Sequence, residues 1–334
     1  LAAMLAVPTT AWADDAGEDG GQITVTVPEG GGSERDISIV DAQFRWGLNA
    51  ESGAGAFAGG CNFLSAGRAG DVGAGGIVWT AAHDLYRASD GAVRIEKPDA
   101  GGEFRPATWA DRCLDASGAP LTTASLTQTS GNHVVIDGGT GTLSTDGRLR
   151  ITWKGSFTVV FYGGMTYWSV TDPVLAVDSA GNGTVTATAS GYGASMEDLS
   201  RWEALPERSI VLANLSNIRT EGGSGFMTEP LYHGVAVTDA GQAERTAENQ
   251  AYWGSFPASF VQYQKLTGQA GYWLTTGGQR DKAKVPTTLY ISYDARAPIV
   301  VTPVPGISAG GGGAVPQNTV RVRPPGAAAP AAAA

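Results

Sequence analysis

The residues that could do chemistry in this sequence are three histidines, two cysteines, scattered carboxylates and two crowded groups of aromatic rings. His83, His133 and His233 stand far apart. None belongs to a His-x-x-x-His or His-Glu-x-x-His pair, the spacing that sets two imidazoles on one helix face around a zinc ion. No Gly-x-Ser-x-Gly turn is present to hold a hydrolase serine. Gly53-Ala54-Gly55-Ala56-Phe57-Ala58 fits the dinucleotide pattern in letters, but it lacks the strand before it and the helix after it. Asp178 to Gly183 offers oxygen side chains without the closing glutamate of a calcium loop, and reads as a turn. Glu197 and Asp198 are adjacent, so they point apart and read as solvated loop charge. The expectation is a non-enzyme, with no catalytic residue and no metal site.

The aromatics say more. Phe157, Phe161, Tyr162, Tyr167 and Trp168 crowd one glycine-containing stretch. Tyr252, Trp253, Phe256, Phe260, Tyr263, Tyr272 and Trp273 crowd another. Such rings pack β-sheet cores and cross-strand pairs. They can also hold a flat apolar ligand or a carbohydrate. Tyr162, Tyr167, Trp168 and Met165 are the ligand-binding candidates. Cys61 and Cys113 have no Cys-x-x-Cys neighbour, so they read as one disulfide in an exported protein. The alternative is two separate buried thiols. A bridge closing a loop of about 50 residues contributes roughly 4 kcal/mol in the chain-entropy account.

These residues need elements to position them, and the patterns are those of strands. Gly76–Thr80, Ala92–Glu96, His133–Asp137, Leu149–Trp153 and Ser156–Phe161 are short β-branched or alternating runs. His133–Asp137 precedes Gly138-Gly139. Val174–Val177 and Thr184–Ala189 flank Asp178–Gly183, which predicts a hairpin. Ile210–Leu215 and Leu289–Tyr293 close the series. One helix is expected over Phe256–Thr267, with Ser255 as N-cap, Pro257 at its first position and Gly268 as terminator. It would set Phe256, Phe260, Tyr263 and Leu266 close to one face. The fold class expected is all-β: a single large antiparallel β-sandwich or barrel-like domain with one short helix and disordered termini.

The composition bounds the remaining choices. The chain has 334 residues, 48 of them glycine, and a formal net charge of -10. That balance argues against binding the phosphates of nucleic acid or an anionic lipid surface. Hydrophobic residues make up 42%, enough for a real core. Leu1–Val7 is apolar and Ala11-Trp12-Ala13 is a cleavage signature, so residues 1–13 read as the end of a secretory signal peptide. Residues 14–36 are expected to be flexible, with one short strand at Ile23–Val27. The β domain is placed at 37–294. Residues 295–334 form a Pro/Gly/Ala-rich linker or tail. No integral membrane segment is expected.

Several stretches together resemble the HtaA domain of actinobacterial secreted proteins. They are Phe44-Arg45-Trp46-Gly47-Leu48-Asn49, Gly155 to Gly164, Trp168 to Pro173, Ser195 to Asp198, Trp202-Glu203 and Ile210 to Leu215. The resemblance spans about residues 37–293 and rests on the order and spacing of loose motifs. It implies an all-β fold outside the cell or on its surface. In the best-known members it implies capture of haem for iron acquisition, with a tyrosine near the first motif as iron ligand and a supporting histidine in a later Gly-His motif. This chain departs at both places. Gly47 to Phe57 holds no tyrosine, and Phe161-Tyr162-Gly163-Gly164-Met165 holds no histidine. Tyr162, Tyr167 or Met165 would have to stand in.

Two functions follow as expectations. One is a secreted or cell-surface binding module that takes haem, from solution or from a haem-carrying protein. The other is a structural or adhesive envelope module that has lost the haem site and meets a cell-wall polymer. A carbohydrate-active enzyme is a third and weaker reading, because an all-β fold can host many chemistries.

Overall fold

The computed structural model describes residues 36–194, 198, 202–220, 223–238 and 241–299. The signal-like start, Ile23–Val27, Ser195 to Glu197 and the Pro/Gly/Ala tail beyond 299 lie outside the described residues. Fifteen strands and one α-helix form among them. The strands are β1 (Ile37–Trp46), β2 (Gly55–Ala56), β3 (Gly60–Cys61), β4 (Phe63–Ala66), β5 (Ser89–Asp90), β6 (Val93–Pro98), β7 (Phe104–Pro106) and β8 (His133–Leu143). They continue with β9 (Leu149–Thr152), β10 (Ser156–Phe161), β11 (Thr166–Val177), β12 (Gly183–Ala194), β13 (Trp202–Leu215), β14 (Gly225–Thr228) and β15 (Leu289–Ser292). The helix is α1 (Ala258–Leu266).

Thirteen strands form one sheet, with every strand pairing antiparallel. Its main order is β13-β12-β11-β9-β8-β1-β15-β14, and this order does not close into a barrel. Two long strands carry the architecture. β8 pairs with β6 through its first half and with β9 through its second. β11 likewise pairs with β10 and then with β9. Each changes partner at a register break. In β11 the break lies between Thr171 and Val174, at Asp172-Pro173, where proline has no N–H for the ladder. β9 therefore bridges the two long strands in one half only. Trp153, fully buried just after β9, plugs the fork: its indole N–H donates to the carbonyl of Ala42 at 2.9 Å.

The alternation of side chains along the strands fills one large core with Phe44, Trp46, Trp153, Phe157, Trp168, Ile151 and Leu212. A smaller cluster forms on the other face from Cys61, Phe63, Trp79, Leu121, Val160 and Tyr167. The disulfide Cys61–Cys113 joins this cluster to the loop beyond β7, with the Cα atoms 5.5 Å apart.

Three expectations are corrected. Gly76–Thr80 is not a strand; it is a loop whose Trp79 is drawn into the smaller cluster, with its amide bonded to the carbonyl of Gly163. The strand read at His133–Asp137 runs on to Leu143, because β8 passes through Gly138-Gly139 as a bulge against β1. The helix starts two residues later than expected. Pro257 is its N-cap, and the Ser255 hydroxyl donates instead to the carbonyl of Phe256. Phe256, Phe260 and Tyr263 do face the core, but Leu266 is exposed, and Val261 and Gln264 are buried in its place. The Asp178–Gly183 hairpin forms as expected, closed by the Asp178 carboxylate accepting from the amides of Ala180 and Asn182. Among the described residues no helix is long and apolar enough to cross a membrane.

Candidate functional site

The site is built where β10 ends. Phe161, the last residue of β10, is buried, and the chain turns sharply through Tyr162-Gly163-Gly164 before β11 begins. Tyr162 has φ +51° and Gly163 has φ +67°, so the turn holds two successive residues in the left-handed region. Its carbonyls and amides are tied down on several sides. The amide of Tyr162 donates to Oδ1 of Asn62 at 2.9 Å. The carbonyl of Gly163 accepts from Trp79, and that of Met165 accepts from Gly76.

The hairpin β2–β3 packs directly on this turn. The contact is backbone on backbone: a Cβ at Gly59 would lie 2.1 Å from the carbonyl oxygen of Tyr162, and one at Gly163 would lie 2.4 Å from that of Gly59. Only glycine permits such an approach at positive φ. The hairpin tip carries Phe57, 89% exposed and the most exposed large hydrophobic side chain among the described residues. Val78, on the loop bonded to Gly163, and Leu126, on the loop beneath the hairpin, are also exposed. Gly55 rests on the backbone of Thr122, and Ala54 bridges to Thr129. Four loops are thus tied together at this end of β10, and three of them each leave an apolar side chain exposed.

A buried polar frame holds these loops. Asn62 donates to the carbonyl of Glu51 at 2.9 Å, and Asn49 donates to that of Tyr272 at 3.0 Å. The Glu51 carboxylate is only 2% exposed and accepts from Nε of Arg280. Arg280 also donates to the carbonyl of Ser125 at 3.0 Å, joining a third loop. Burial pushes the Glu51 carboxyl above its ordinary pKa, and the Arg280 charge only partly opposes this. Asp281 beside it is held below the usual range: burial works against it, but Lys284 at 2.6 Å and the amides of Thr276 and Gly277 outweigh burial.

The four residues singled out in the sequence take different places. Tyr162 and Met165 lie on the turn and are half-buried. The Tyr162 ring meets that of Tyr272 edge-on at 6.1 Å. Burial first, and then the neighbouring Tyr162 phenol, raise the Tyr272 phenol above its ordinary pKa. Tyr167 and Trp168 are neighbours on β11, so they point to opposite faces. Tyr167 enters the smaller cluster against Trp79 at 5.0 Å, and its hydroxyl donates to the carbonyl of Gly70 at 2.6 Å. Trp168 enters the large core against Phe260 at 5.3 Å. Both rings are committed to packing.

Phe57, Val78, Leu126, Glu51 and Arg280 were not singled out as a group by the sequence. Phe57 carried a readable signal, a lone ring inside a run of glycine and alanine. The others are joined only by tertiary contacts. Among the described residues no group of three or more His, Cys, Asp or Glu is placed to hold a metal ion. His133 packs between Phe104 at 4.8 Å and Tyr290 at 6.2 Å, while His83 and His233 are exposed.

Comparison with models of known protein families, with curated proteins and with solved structures finds no match to this chain. Its own residues define an antiparallel β protein with loops tied together at the end of β10.

Proposed function

We propose that this protein is a non-catalytic binding module of HtaA type, acting outside the cell or at its surface, which takes a flat and largely apolar ligand of the haem class at the loops tied to the end of β10. The observation that carries this is Phe57: a rigidly mounted hairpin presents an aromatic ring almost wholly to water. An aromatic ring held out to water offers a large apolar face for a ligand to cover. In this reading Phe57, Val78 and Leu126 supply the apolar contacts to such a ligand. Tyr162 stands on the turn that the hairpin packs against, and its phenol is a hard oxygen donor of the type that ferric haem accepts. Export is supported by the cleavage signature Ala11-Trp12-Ala13 and by a disulfide, a bond favoured in oxidising compartments.

A hemin titration tests this. The expected result is a saturable Soret shift with one equivalent bound, weakened at least tenfold in Phe57→Ala and altered in band position in Tyr162→Phe. A titration like that of an unrelated acidic protein, or one indifferent to Phe57, would sink the proposal. A second reading is favoured by the absence of a tyrosine from Gly47 to Phe57 and of a histidine from the 161–165 turn. In it the same loops meet a cell-wall polymer or another envelope component, and retention on cell-wall material without any hemin response would support it.

A further inference from the structure

Lys97 and Arg112 carry charges drawn largely out of water, and neither makes an ion pair among the described residues. Lys97 is 3% exposed, and its Nζ donates to the backbone carbonyls of Asp111 at 2.8 Å and Leu114 at 2.6 Å. Arg112 is half-buried. Its guanidinium lies over the Trp109 ring at 3.3 Å and the Phe63 ring at 5.3 Å, and Nη1 donates to the Trp109 carbonyl. Both cations line one cavity of about 10 Å³, room for a single water-sized guest, together with Tyr86, Ser130 and Asn132. The sheet builds one side of it. Glu96 of β6 pairs with His133 of β8, so one step further along the ladder Lys97 stands opposite Asn132. The loop that carries Cys113 builds another, since Arg112 directly precedes that cysteine. Two lining residues keep a buried polar atom with no hydrogen-bond partner among the described residues: the Tyr86 hydroxyl and Nε of Arg112.

A buried charge without a counter-charge is costly. Burial accordingly holds both cations below their ordinary pKa; Asp111 and Asp115 at Lys97, and Tyr86 at Arg112, oppose this only in part. Those two carboxylates are engaged elsewhere. Asp111 accepts from the Thr108 amide at 2.7 Å, and Asp115 accepts from Gln128 at 2.8 Å. We propose that the cavity is a binding site for one small monovalent anion of the chloride type, held between Lys97 and Arg112 and by the Tyr86 hydroxyl. The donor inventory selects an anion over water. Lysine and arginine side chains only donate. A water beside them would need acceptors for its own hydrogens, whereas a halide needs none. Burial first, and then the Asp111 charge, raise the Tyr86 phenol above its ordinary pKa, so it keeps the proton it would donate. The size of the cavity excludes polyatomic anions such as phosphate or a carboxylic acid. The ion has a structural consequence. It ties the loop around Cys113 to β6 by charge, as the disulfide ties that loop to β3 by a covalent bond.

Thermal unfolding of the full chain tests this, with sodium gluconate replaced stepwise by sodium chloride at constant ionic strength. Gluconate is monovalent but too large for the cavity. The expected result is a saturable rise in midpoint of about 2–4 °C, reproduced by bromide. Tyr86→Phe keeps the ring and removes the donor, and is expected to move the chloride titration to at least tenfold higher concentration. Lys97→Met is expected to abolish the response. Should Lys97→Met fail to fold, the Tyr86→Phe shift decides alone. Equal midpoints in gluconate and chloride assign the cavity to water and overturn the proposal. A rise that does not saturate, or that the folded variants leave unchanged, comes from ions at the surface and overturns it as well.

Discussion

Glu51 keeps its carboxylate almost entirely out of water and relies on Arg280 for compensation. Removing one partner of such a pair leaves an uncompensated buried charge, which typically costs more than the intact pair ever contributed. Arg280→Ala is therefore expected to lower stability by about 3 kcal/mol at neutral pH. The double variant Glu51→Gln/Arg280→Ala should recover a large part of that loss in urea denaturation. The pH dependence has a definite sign. A carboxyl whose folded pKa is raised favours the fold at low pH and loses that contribution as pH rises through its folded pKa. The Arg280→Ala deficit should accordingly be larger at pH 8 than at pH 5. His133 works in the opposite direction along the pH scale. Burial, with the Arg45 charge second, lowers its pKa from 6.5 to about 3. The unfolded chain then binds a proton that the folded chain refuses. Its contribution is complete above pH 6.5 and is lost as pH falls toward 3, at a slope approaching about 1.4 kcal/mol per pH unit. Urea midpoints measured between pH 4 and 7 should show that slope, and His133→Gln should flatten it.

At the scale of elements, the hairpin β2–β3 is held by contact rather than by propensity, since each strand has only two residues. Gly59 and Gly60 both have positive φ, but only a Cβ at Gly59 would strike the Tyr162 turn; nothing lies within 4 Å of one at Gly60. Gly60→Ala should cost about 1 kcal/mol, the ordinary penalty of that backbone region. Gly59→Ala should cost clearly more, about 2–3 kcal/mol, and should displace Phe57. Comparing the two urea midpoints checks this. The same contrast explains what the sequence could and could not tell. Runs such as Ser156–Phe161 and Ile210–Leu215 were legible because alternation and β-branching belong to the strand itself. Asp178–Gly183 was legible because a turn carries its own chemistry. Gly76–Thr80 misled because Ile77-Val78-Trp79 is apolar like a strand, yet its burial comes from Trp79 filling a cluster rather than from a ladder. Ser255 misled because a helix start depends on where the backbone enters the core, and Phe256 is held there by Trp273. The candidate site was legible only in Tyr162 and Met165. Tyr167 and Trp168 share their aromatic neighbourhood in sequence, but the two-residue period of β11 sends them to separate clusters.

At the scale of the whole molecule, one sheet carries both clusters, and Cys61–Cys113 is the only covalent tie across the smaller one. The bridge spans 52 residues of sequence, which in the loop-entropy account corresponds to about 4 kcal/mol. Replacing both cysteines by serine should lower stability by about that amount. The loss should be visible as a fall in thermal midpoint, with the large core less affected than the hairpin that carries Cys61. The open order of the sheet gives it two ends, and α1 shields the longer edge strand at one of them. The same bridge has a further consequence for a protein that meets proteases. Arg68–Gly73 and Thr80–Asp84, both largely exposed, lie between the two cysteines. A single cut in either loop would leave the two fragments joined through sulfur and through the sheet. The nicked protein would keep its mass until reduced, so damage at these two exposed loops need not release any part of it.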